Sequence, residues 1–377
     1  MLSSDNINGG ISNRKMHLAL VEDVHISWGS FKSILQIDSF EKCLVFVDPL
    51  VLSSNEYLLD IEDSIETLTL IPTNLGEFNK NIDSLVSILT VIENAGIGRR
   101  SCKIYAVGGG ALLDTVSMAC SLYRRGIDIV KVPTTLLSFI DAAVGIKTGI
   151  NFLGQRNRLG TYNAKFNVIL DPALLGTLSQ DLIRQGLGEI LKIATIKSKA
   201  LFSLLENNKE ALLNPQYYQN RAGKEILDLA IQLMLEELHD NPKEDVLKRC
   251  VDFGHTFSPL VEMESMRRST ERPLAHGFAV SYDCLLTTFI SKRRGLIDGA
   301  DFSRIVNLFT YFDMNYGNPI YSDVELIWAS LLEMTRHRGG SQNIPIPISI
   351  GEFDFINDLS FEELVNANDH LLKTLSE

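Results

Sequence analysis

The sequence predicts an N-terminal α/β domain with an open, mainly parallel Rossmann-like sheet, followed by a mainly α-helical C-terminal domain. Short apolar runs alternate with helical patterns before residue 175, which is typical of parallel strands joined by right-handed crossovers. After Asp171-Pro172, strand patterns largely disappear and helical patterns follow one another. We therefore predict an α/β domain over residues 16–175 and a helical domain over residues 176–377, with the functional site in the cleft between them.

The individual elements follow from local patterns. Residues 1–15 are polar and predict a flexible leader. Continuous apolar runs bounded by turn residues predict strands at Cys43–Val47, Thr67–Ile71, Lys103–Val107, Ile129–Val132 and Val168–Leu170. Apolar residues that recur at helical spacing predict helices at Asn81–Ala95, Leu112–Tyr123, Leu182–Lys199, Phe202–Leu212, Gly223–His239, Ala279–Arg293 and Phe302–Phe312.

Composition narrows the class of protein. With 377 residues, 45% of them hydrophobic and 22% charged, the chain has the make-up of a globular protein with room for two domains. The formal net charge of −12 argues against a nucleic-acid partner, which needs a broad basic surface. No apolar run approaches the roughly 18 residues of a membrane span, so no membrane partner is predicted. Five scattered cysteines without a CxxC pair, and no secretory pattern, indicate a cytoplasmic protein.

A glycine triplet, Gly108–Gly110, stands between a predicted strand and a predicted helix. Without a Cβ the backbone turns tightly, and the first N–H groups of the helix can face an anion. The triplet lacks the full dinucleotide fingerprint, so an ordinary strand-to-helix turn explains it equally well by itself. What strengthens the interpretation as a phosphate-binding loop is an unusual density of polar residues in the apolar region that follows. These residues are Thr134, Thr135, Asp141, Lys147, Asn151, Arg156, Asn157 and Arg158.

Longer motifs point to a family. The chain resembles dehydroquinate synthase and the other sugar phosphate cyclases in VGGGALLD, YRRG, VPTTLLSFIDAAVGIKTGIN and NRLGTY, which keep their order and spacing. The resemblance extends from about Asp48 to about Asp358. The motifs DFGHTFSP and RHRGG, with the proline and phenylalanine pattern that follows, are similar to those of sedoheptulose 7-phosphate cyclases, above all 2-epi-5-epi-valiolone synthases.

This resemblance implies a dehydroquinate synthase-like fold and an NAD- and metal-dependent lyase that cyclises sedoheptulose 7-phosphate. It implies oxidation of a hydroxyl, elimination of phosphate, return of the hydride and an aldol closure to 2-epi-5-epi-valiolone. The implied partners are a small-molecule sugar phosphate and, as a homodimer, a second copy of the chain. The sequence leaves open another cyclase (2-epi-valiolone, desmethyl-4-deoxygadusol, dehydroquinate or 2-deoxy-scyllo-inosose synthase), a metal-dependent polyol dehydrogenase, or a noncatalytic NAD-binding module.

Three residues of the helical half form a candidate metal site: Glu189 in GLGEILK, His255 in DFGHTFSP and His276 in AHGFAV. Each histidine alone is more often structural, and the three lie too far apart for spacing to show that they converge. The resemblance implies the convergence, because these positions match the metal ligands of dehydroquinate synthases. One carboxylate and two imidazoles suit Zn²⁺, and Co²⁺ can take the same ligands.

The resemblance also implies a set of cofactor-binding residues. An acidic residue after a strand, here Asp48, suits ribose hydroxyls and favours NAD over NADP. Without the resemblance, Asp48 and the Glu77–Lys80 segment are more simply explained as solvated loop charges. The full set is Asp48, Glu77, Lys80, Gly109, Gly110, Asp114, Thr134, Thr135, Asp141, Lys147 and Thr177.

A second set is implied for the substrate and the chemistry. Lys192 follows Glu189 by three residues, so both face one side of a helix, although a surface salt bridge has the same spacing. The planar guanidinium groups of Arg125, Arg156 and Arg158 have the geometry that phosphate requires. The set is Lys147, Lys192, Asp141, Asp252, Arg125, Arg156, Asn157, Lys248, Arg336 and His337.

The chain departs from dehydroquinate synthases at three places. Asp252 and Pro259 stand where those enzymes have asparagine and histidine, so one histidine of their substrate site is missing. Phe278 replaces the glutamate of the HGE motif. An apolar ring beside His276 predicts a different pocket shape or helix packing there.

Overall fold

The structure is a computed structural model that describes residues 25–37, 40–55, 57–98, 102–163, 165–239, 241–268 and 273–376. The predicted leader over residues 1–15 lies outside the described residues.

A six-stranded sheet, parallel throughout, forms the centre of the N-terminal half. An antiparallel hairpin packs against the helix that follows the glycine triplet, and a second hairpin packs against helices of the C-terminal half. The sheet strands run in the order β1-β8-β5-β4-β2-β3. The strands are β1 (His25–Trp28), β2 (Lys42–Val47), β3 (Leu68–Pro72), β4 (Cys102–Gly108), β5 (Ile129–Pro133), β6 (Lys147–Phe152), β7 (Gln155–Tyr162), β8 (Phe166–Leu170), β9 (Ile344–Ser349) and β10 (Glu352–Ile356).

Helices cover both faces of the sheet. Alternate residues of β2 point to opposite faces, with Leu44 and Phe46 in one apolar cluster and Val45 and Val47 in the other. Both clusters are buried, as in parallel sheets flanked by helices. The helices of this half are α1 (Phe31–Ile37), α2 (Pro49–Ser54), α3 (Tyr57–Ser64), α4 (Ile82–Asn94), α5 (Gly110–Leu122) and α6 (Leu136–Ile140).

The second half is mainly helical, and the predicted α/β-plus-helical fold is confirmed. The helix α11 is buried along nearly its whole length, which makes it the centre of the helical half. Among the described residues, no helix combines the length and apolar character that a bilayer crossing requires. The helices are α7 (Gln180–Lys197), α8 (Lys199–Asn208), α9 (Arg221–His239), α10 (Ser258–Arg268), α11 (His276–Arg293), α12 (Gly299–Tyr311), α13 (Val324–His337) and α14 (Phe361–Ser376).

The sheet contains a topological switch point. From β2 the chain moves outward to β3, whereas from β4 it moves in the opposite direction to β5. Ligands of open α/β sheets bind at the carboxyl ends of two such strands. Here those ends are Asp48 and the glycine triplet, and a Cβ on Gly108 would lie 3.5 Å from the Cβ of Asp48. The fold therefore opens a crevice where the sequence predicts a phosphate-binding loop.

A buried lysine on β5 supports the turn that leads into β6. The ammonium group of Lys131 donates to the carbonyl oxygens of Ala142 (3.1 Å) and Gly145 (2.8 Å) and lies 3.9 Å from the centre of the Phe166 ring. Burial lowers the pKa of Lys131 to about 8 from its usual 10.5, although the charges of Asp114 and Asp141 favour protonation. Lys131 therefore stabilises the turn between Asp141 and Lys147, two residues that the sequence predicts to belong to the site.

We expect the free energy of unfolding to rise between about pH 8 and pH 10.5, because the unfolded chain then binds more protons than the folded protein. The contribution of Lys131 to this rise is about 3 kcal/mol. Urea unfolding of the wild type and Lys131→Met across this range measures it as a difference between the two proteins. Lys165→Met, at an exposed lysine, controls for loss of a positive charge. Equal pH dependence in wild type and Lys131→Met would contradict the assignment.

Candidate active site

Two helices approach each other closely at the centre of the site. A Cβ on Gly188 of α7 would lie 2.4 Å from the carbonyl oxygen of Gly277, and one on Gly277 would lie 2.0 Å from that of Gln185. Both distances are below any real contact, so only glycine permits this approach. The neighbours of the two glycines in sequence are Glu189 and His276, which the crossing therefore brings together.

Glu189, His255 and His276 converge as the resemblance implied, with ligand atoms all within 4.8 Å of one another. The Nε2 atoms of His255 and His276 lie 3.6 Å and 3.2 Å from the same oxygen, Glu189 Oε1. Both oxygens of Glu189 are buried, and Oε1, the oxygen that faces the two imidazoles, has no hydrogen bond of good geometry among the described residues. A buried carboxylate oxygen needs a partner, and with two imidazole nitrogens beside it the donor set fits Zn²⁺ or Co²⁺.

Lys192 is buried beside this cluster. Its Nζ lies 2.7 Å from Glu189 Oε2, and the two side chains are 4% and 1% exposed, so the pair is not a surface salt bridge. Although burial opposes ionisation, Lys192 holds the pKa of Glu189 well below its usual range. Burial, with the Lys192 charge, also holds the pKa of His255 well below its usual range, and neutral imidazole is the form that binds a metal.

His276 lies between charged groups. Burial and the Arg156 guanidinium oppose its protonation, but the carboxylates of Glu262 and Glu189 outweigh them and raise the pKa of His276 to about 9. The same carboxylates that favour a proton on the ring favour a metal cation in its place. The surroundings of His276 therefore stabilise either a proton or a metal cation on its ring.

The loop that carries His255 is fixed by backbone contacts. Asp283 of α11 accepts hydrogen bonds from the backbone N–H groups of Thr256 (2.8 Å), Phe257 (2.5 Å) and Ser258 (2.9 Å). The Nδ1 atom of His255 lies 3.4 Å from the Phe253 carbonyl oxygen, which leaves Nε2 for a metal. Because α11 also begins with His276, one helix positions two of the three ligands.

A cavity of about 340 Å³, which we call the Asp114 cavity, adjoins this cluster at His276. It opens at the N-terminus of α5, where Gly110 faces it and no acidic residue occupies the first turn. Lys80 is buried and joins Asp114 to Asn157, with both Nζ distances 2.6 Å. Of the residues predicted from the sequence, it is lined by Glu77, Lys80, Gly110, Asp114, Asp141, Arg156, Asn157 and His276.

The other predicted cofactor-binding residues cap helices, connect neighbouring loops or lie at the ends of short elements. Asp48 caps α2 through one oxygen, which accepts from Leu50 N at 2.8 Å. Thr135 caps α6 in a reciprocal arrangement with Ser138, and Thr134 N donates to Gly108 O at 3.0 Å. A Cβ on Gly109 would touch Thr135, so the loops after β4 and β5 are in contact. Thr177 is exposed at the end of a 3₁₀ helix over Pro172–Thr177, and Lys147 begins β6.

A second cavity, of about 520 Å³, lies on the other side of Arg156 and Asn157 and is called the Asp252 cavity. Its wall carries more positive than negative side chains, in spite of the acidic chain. Asp252 itself is buried between Arg249 (2.5 Å) and Arg338 (3.2 Å). The charged residues lining it are Arg156, Arg158, Lys243, Glu244, Arg249, Asp252, Glu333, His337 and Arg338.

Five predicted substrate residues line neither cavity: Lys192 lies beside the metal-ligand cluster and Lys147 pairs with Glu244, and the other three are Arg125, Arg336 and Lys248. Arg125 is exposed on the turn after α5, and Arg336 is exposed near the end of α13. Lys248 lies over the ring of Phe355, 4.5 Å from its centre. On this chain alone, the structure does not bring these three to the cluster. Phe278 is buried in the core and lines neither cavity, so the exchange from the HGE motif affects helix packing.

Sequence reasoning missed four residues that the structure places in the site: Arg249, Arg338, Glu244 and Glu262. Arg249 follows the predicted residue Lys248, and Arg338 follows the predicted residues Arg336 and His337. The sequence does not show which of these neighbouring basic side chains lines the cavity, because the local backbone conformation determines it. Glu244 pairs with both Lys147 and Arg249. Glu262 lies on α10 with no motif to mark it, and its proximity to His276 becomes visible only in the fold.

An α/β crevice beside a cluster of metal-ligand residues, with a basic second cavity, is the arrangement of a metal-dependent enzyme. Comparison with known proteins gives the family. The family models described as 3-dehydroquinate synthase N-terminal and 3-dehydroquinate synthase C-terminal match residues 70–185 and 186–335. The chain belongs to this family, among the sugar phosphate cyclases.

Individual relatives agree with this assignment. The chain is 42% identical over 297 residues to a 2-epi-5-epi-valiolone synthase of Streptomyces albus, covering 78% of this chain and 71% of the relative. It is 34% identical over 337 residues to a demethyl-4-deoxygadusol synthase of Trichormus variabilis, covering 87% and 80%. The solved structure of ValA, a 2-epi-5-epi-valiolone synthase from Streptomyces hygroscopicus subsp. jinggangensis with NAD⁺ and Zn²⁺ bound, superposes with a TM-score of 0.87 and 33% identity, covering 96% of this chain and 99% of that chain.

We expect Gly277→Ala to destabilise the protein by about 1–3 kcal/mol and to weaken Zn²⁺ binding. The added methyl group meets the backbone of Gln185, which cannot rotate away, so α7 and α11 must separate. Urea unfolding and Zn²⁺ titration of the metal-free protein measure the two effects. Gly317→Ala is the matched control, because a Cβ there has open space, and its stability should change by less than about 0.5 kcal/mol. Wild-type stability and metal affinity in Gly277→Ala would refute the role of this crossing.

Proposed function

We propose that the protein catalyses the NAD- and metal-dependent cyclisation of sedoheptulose 7-phosphate to 2-epi-5-epi-valiolone, with elimination of phosphate. Relatives named for this activity at about 40% identity support it. The observation that carries the proposal is that His276 belongs both to the Glu189–His255–His276 cluster and to the wall of the Asp114 cavity. The metal site and the cofactor site are therefore contiguous, as a reaction that oxidises a metal-held hydroxyl requires.

The residues present fit both groups. The N-terminus of α5, with glycines at its start, suits a pyrophosphate, and the second oxygen of Asp48 remains for a ribose hydroxyl. Glu189, His255 and His276 would hold Zn²⁺. When bound, NAD⁺ supplies a hydride acceptor and Zn²⁺ a Lewis acid that polarises a hydroxyl oxygen.

The chain's own residues have separate tasks in this proposal. Lys192, buried beside Glu189, stabilises negative charge that develops on a bound oxygen. Asp141 lines the Asp114 cavity and would orient a substrate hydroxyl. His255 and His276 serve as ligands, so they are not free to act as general bases.

The phosphate group would lie in the Asp252 cavity. Arg158, Lys243, Arg249 and Arg338 line it, and Lys147 reaches its edge through Glu244. Arg156 is paired with Glu77 and Glu262, which line the Asp114 cavity and not the Asp252 cavity. We further propose a cytoplasmic homodimer, as the resemblance to this family implies.

The first test is phosphate release from sedoheptulose 7-phosphate by the protein with NAD⁺ and Zn²⁺ or Co²⁺, followed by NMR of the product. We expect phosphate release without net NADH and a C7 cyclitol with the stereochemistry of 2-epi-5-epi-valiolone. A different stereoisomer, or turnover of glucose 6-phosphate or the dehydroquinate precursor instead, would assign another cyclase. Steady NADH accumulation would indicate a polyol dehydrogenase.

We expect Arg249→Gln to raise KM for the sugar phosphate about tenfold to a hundredfold with a smaller change in kcat, because a charged hydrogen bond to phosphate is lost. The neighbouring Lys248→Gln is the matched control, since Lys248 packs on Phe355 outside the cavity. Steady-state kinetics with both variants measure the split. If Lys248→Gln raised KM and Arg249→Gln did not, the proposed phosphate site in the Asp252 cavity would be wrong, and the position of Lys248 that the resemblance implies would be supported.

A further inference from the structure

Glu262 is a buried carboxylate on the second turn of α10, outside the three metal-ligand positions. Its side chain is 4% exposed, and its Oε2 atom lies 2.9 Å from His276 Nδ1. The same oxygen accepts a hydrogen bond from Nη1 of Arg156. A buried carboxylate needs such partners, and both of them belong to the site.

The two nitrogens of His276 face opposite carboxylates. Nε2 lies 3.2 Å from Glu189, toward the ligand cluster, whereas Nδ1 lies 2.9 Å from Glu262. A neutral imidazole that binds a metal through Nε2 carries its proton on Nδ1. That proton then has an acceptor in Glu262, and the ring is fixed in direction by one hydrogen bond.

Arg156 completes the arrangement. Its Nη1 also lies 2.8 Å from His276 Nδ1, but a protonated Nδ1 cannot accept a hydrogen bond from it. The guanidinium therefore bonds to Glu262, and its Nε lies 3.5 Å from Glu77, another residue that lines the Asp114 cavity. Arg156 thus holds Glu262 in place from the cofactor side.

We propose that Glu262 is the positioning residue for His276: its carboxylate accepts the Nδ1 proton, which fixes the tautomer and aims Nε2 at the metal. The proposal rests on the metal dependence in the proposed function, but not on the reaction that follows. Arg156 contacts both Glu262 and Glu77, so a chain of contacts connects His276 with the residues that line the Asp114 cavity.

The test is Co²⁺ and Zn²⁺ binding to the metal-free protein, followed by the visible absorption of Co²⁺ and by chelator competition. We expect Glu262→Ala to weaken metal binding about 10–100-fold and to alter the Co²⁺ spectrum, because the His276 ring loses its orientation. Glu262→Gln keeps an acceptor oxygen and should recover part of the affinity. Wild-type affinity and spectrum in a folded Glu262→Ala protein would overturn the proposal.

Two control variants separate loss of the His276 ring orientation from other causes of weaker metal binding. Glu264→Ala, two residues along α10 and paired with Arg267 and Arg268 at the surface, should bind metal as the wild type does. In the double variant Glu262→Ala/Arg156→Ala, a loss of affinity that persists supports orientation by the carboxylate. Full recovery would overturn it, since repulsion by an unpaired Arg156 would then explain the loss.

These measurements need no turnover, so they are distinct from the test of the proposed function. If Glu262→Ala does not fold, Glu262→Met, which keeps the length of the side chain but removes the acceptor oxygen, is compared with the wild type, and an unchanged Co²⁺ spectrum with unchanged affinity overturns the proposal. If the wild type binds metal but releases no phosphate, the cyclase assignment fails while the role of Glu262 stands on its own data.

Discussion

The site depends on the close approach of α7 and α11 at Gly188 and Gly277. A Cβ on either residue would fall within the backbone of the other helix, so the interhelical distance is set by the absence of side chains. This distance places Glu189 and His276 side by side. His255 joins them because Asp283, two turns further along α11 than His276, binds the backbone of its loop. A helix pair thus determines the geometry of all three ligands, and the parallel sheet contributes the crevice beside them.

Charge in this site is arranged as buried pairs. Isolated buried charges cost far more than paired ones, and removal of one partner leaves the other uncompensated. Glu189 is paired with Lys192, Lys80 with Asp114, and Arg156 with Glu262. The Lys80–Asp114 and Arg156–Glu262 pairs each join two separate segments, so they keep charges buried and also fix the walls of the Asp114 cavity. The acidic chain can therefore present a basic Asp252 cavity, because its local cations are held there by specific partners and not by net charge.

Much of the fold could be predicted from sequence because buried parallel strands are continuous apolar runs; five of the six sheet strands were found with ends within two residues. The hairpin β9–β10 was missed because β9 carries Pro345 and Pro347, which remove ladder donors and are tolerated beside a single partner strand. The metal ligands could be identified only by resemblance, since no periodicity joins three distant positions. The basic residues of the Asp252 cavity were harder to identify from the sequence than the metal ligands. In RHRGG the buried residue is Arg338, since the chain turns there into Gly339 and Gly340 with positive φ, and the preceding Arg336 stays exposed.

The hairpin β6–β7 shows why local sequence could not give the site. Its turn uses Leu153 and Gly154, both with positive φ, and not the asparagine or aspartate that usually marks a tight hairpin. The residues of β7 are partly buried or exposed, without a clear apolar stripe. Polar side chains are needed here because the hairpin stands between two cavities: Arg156 and Asn157 line both of them. Arg156 contacts Glu262 on the metal side, while Asn157 contacts Lys80 on the cofactor side. Because β7 carries polar side chains that line two cavities, it lacks the hydrophobic pattern from which a strand is predicted.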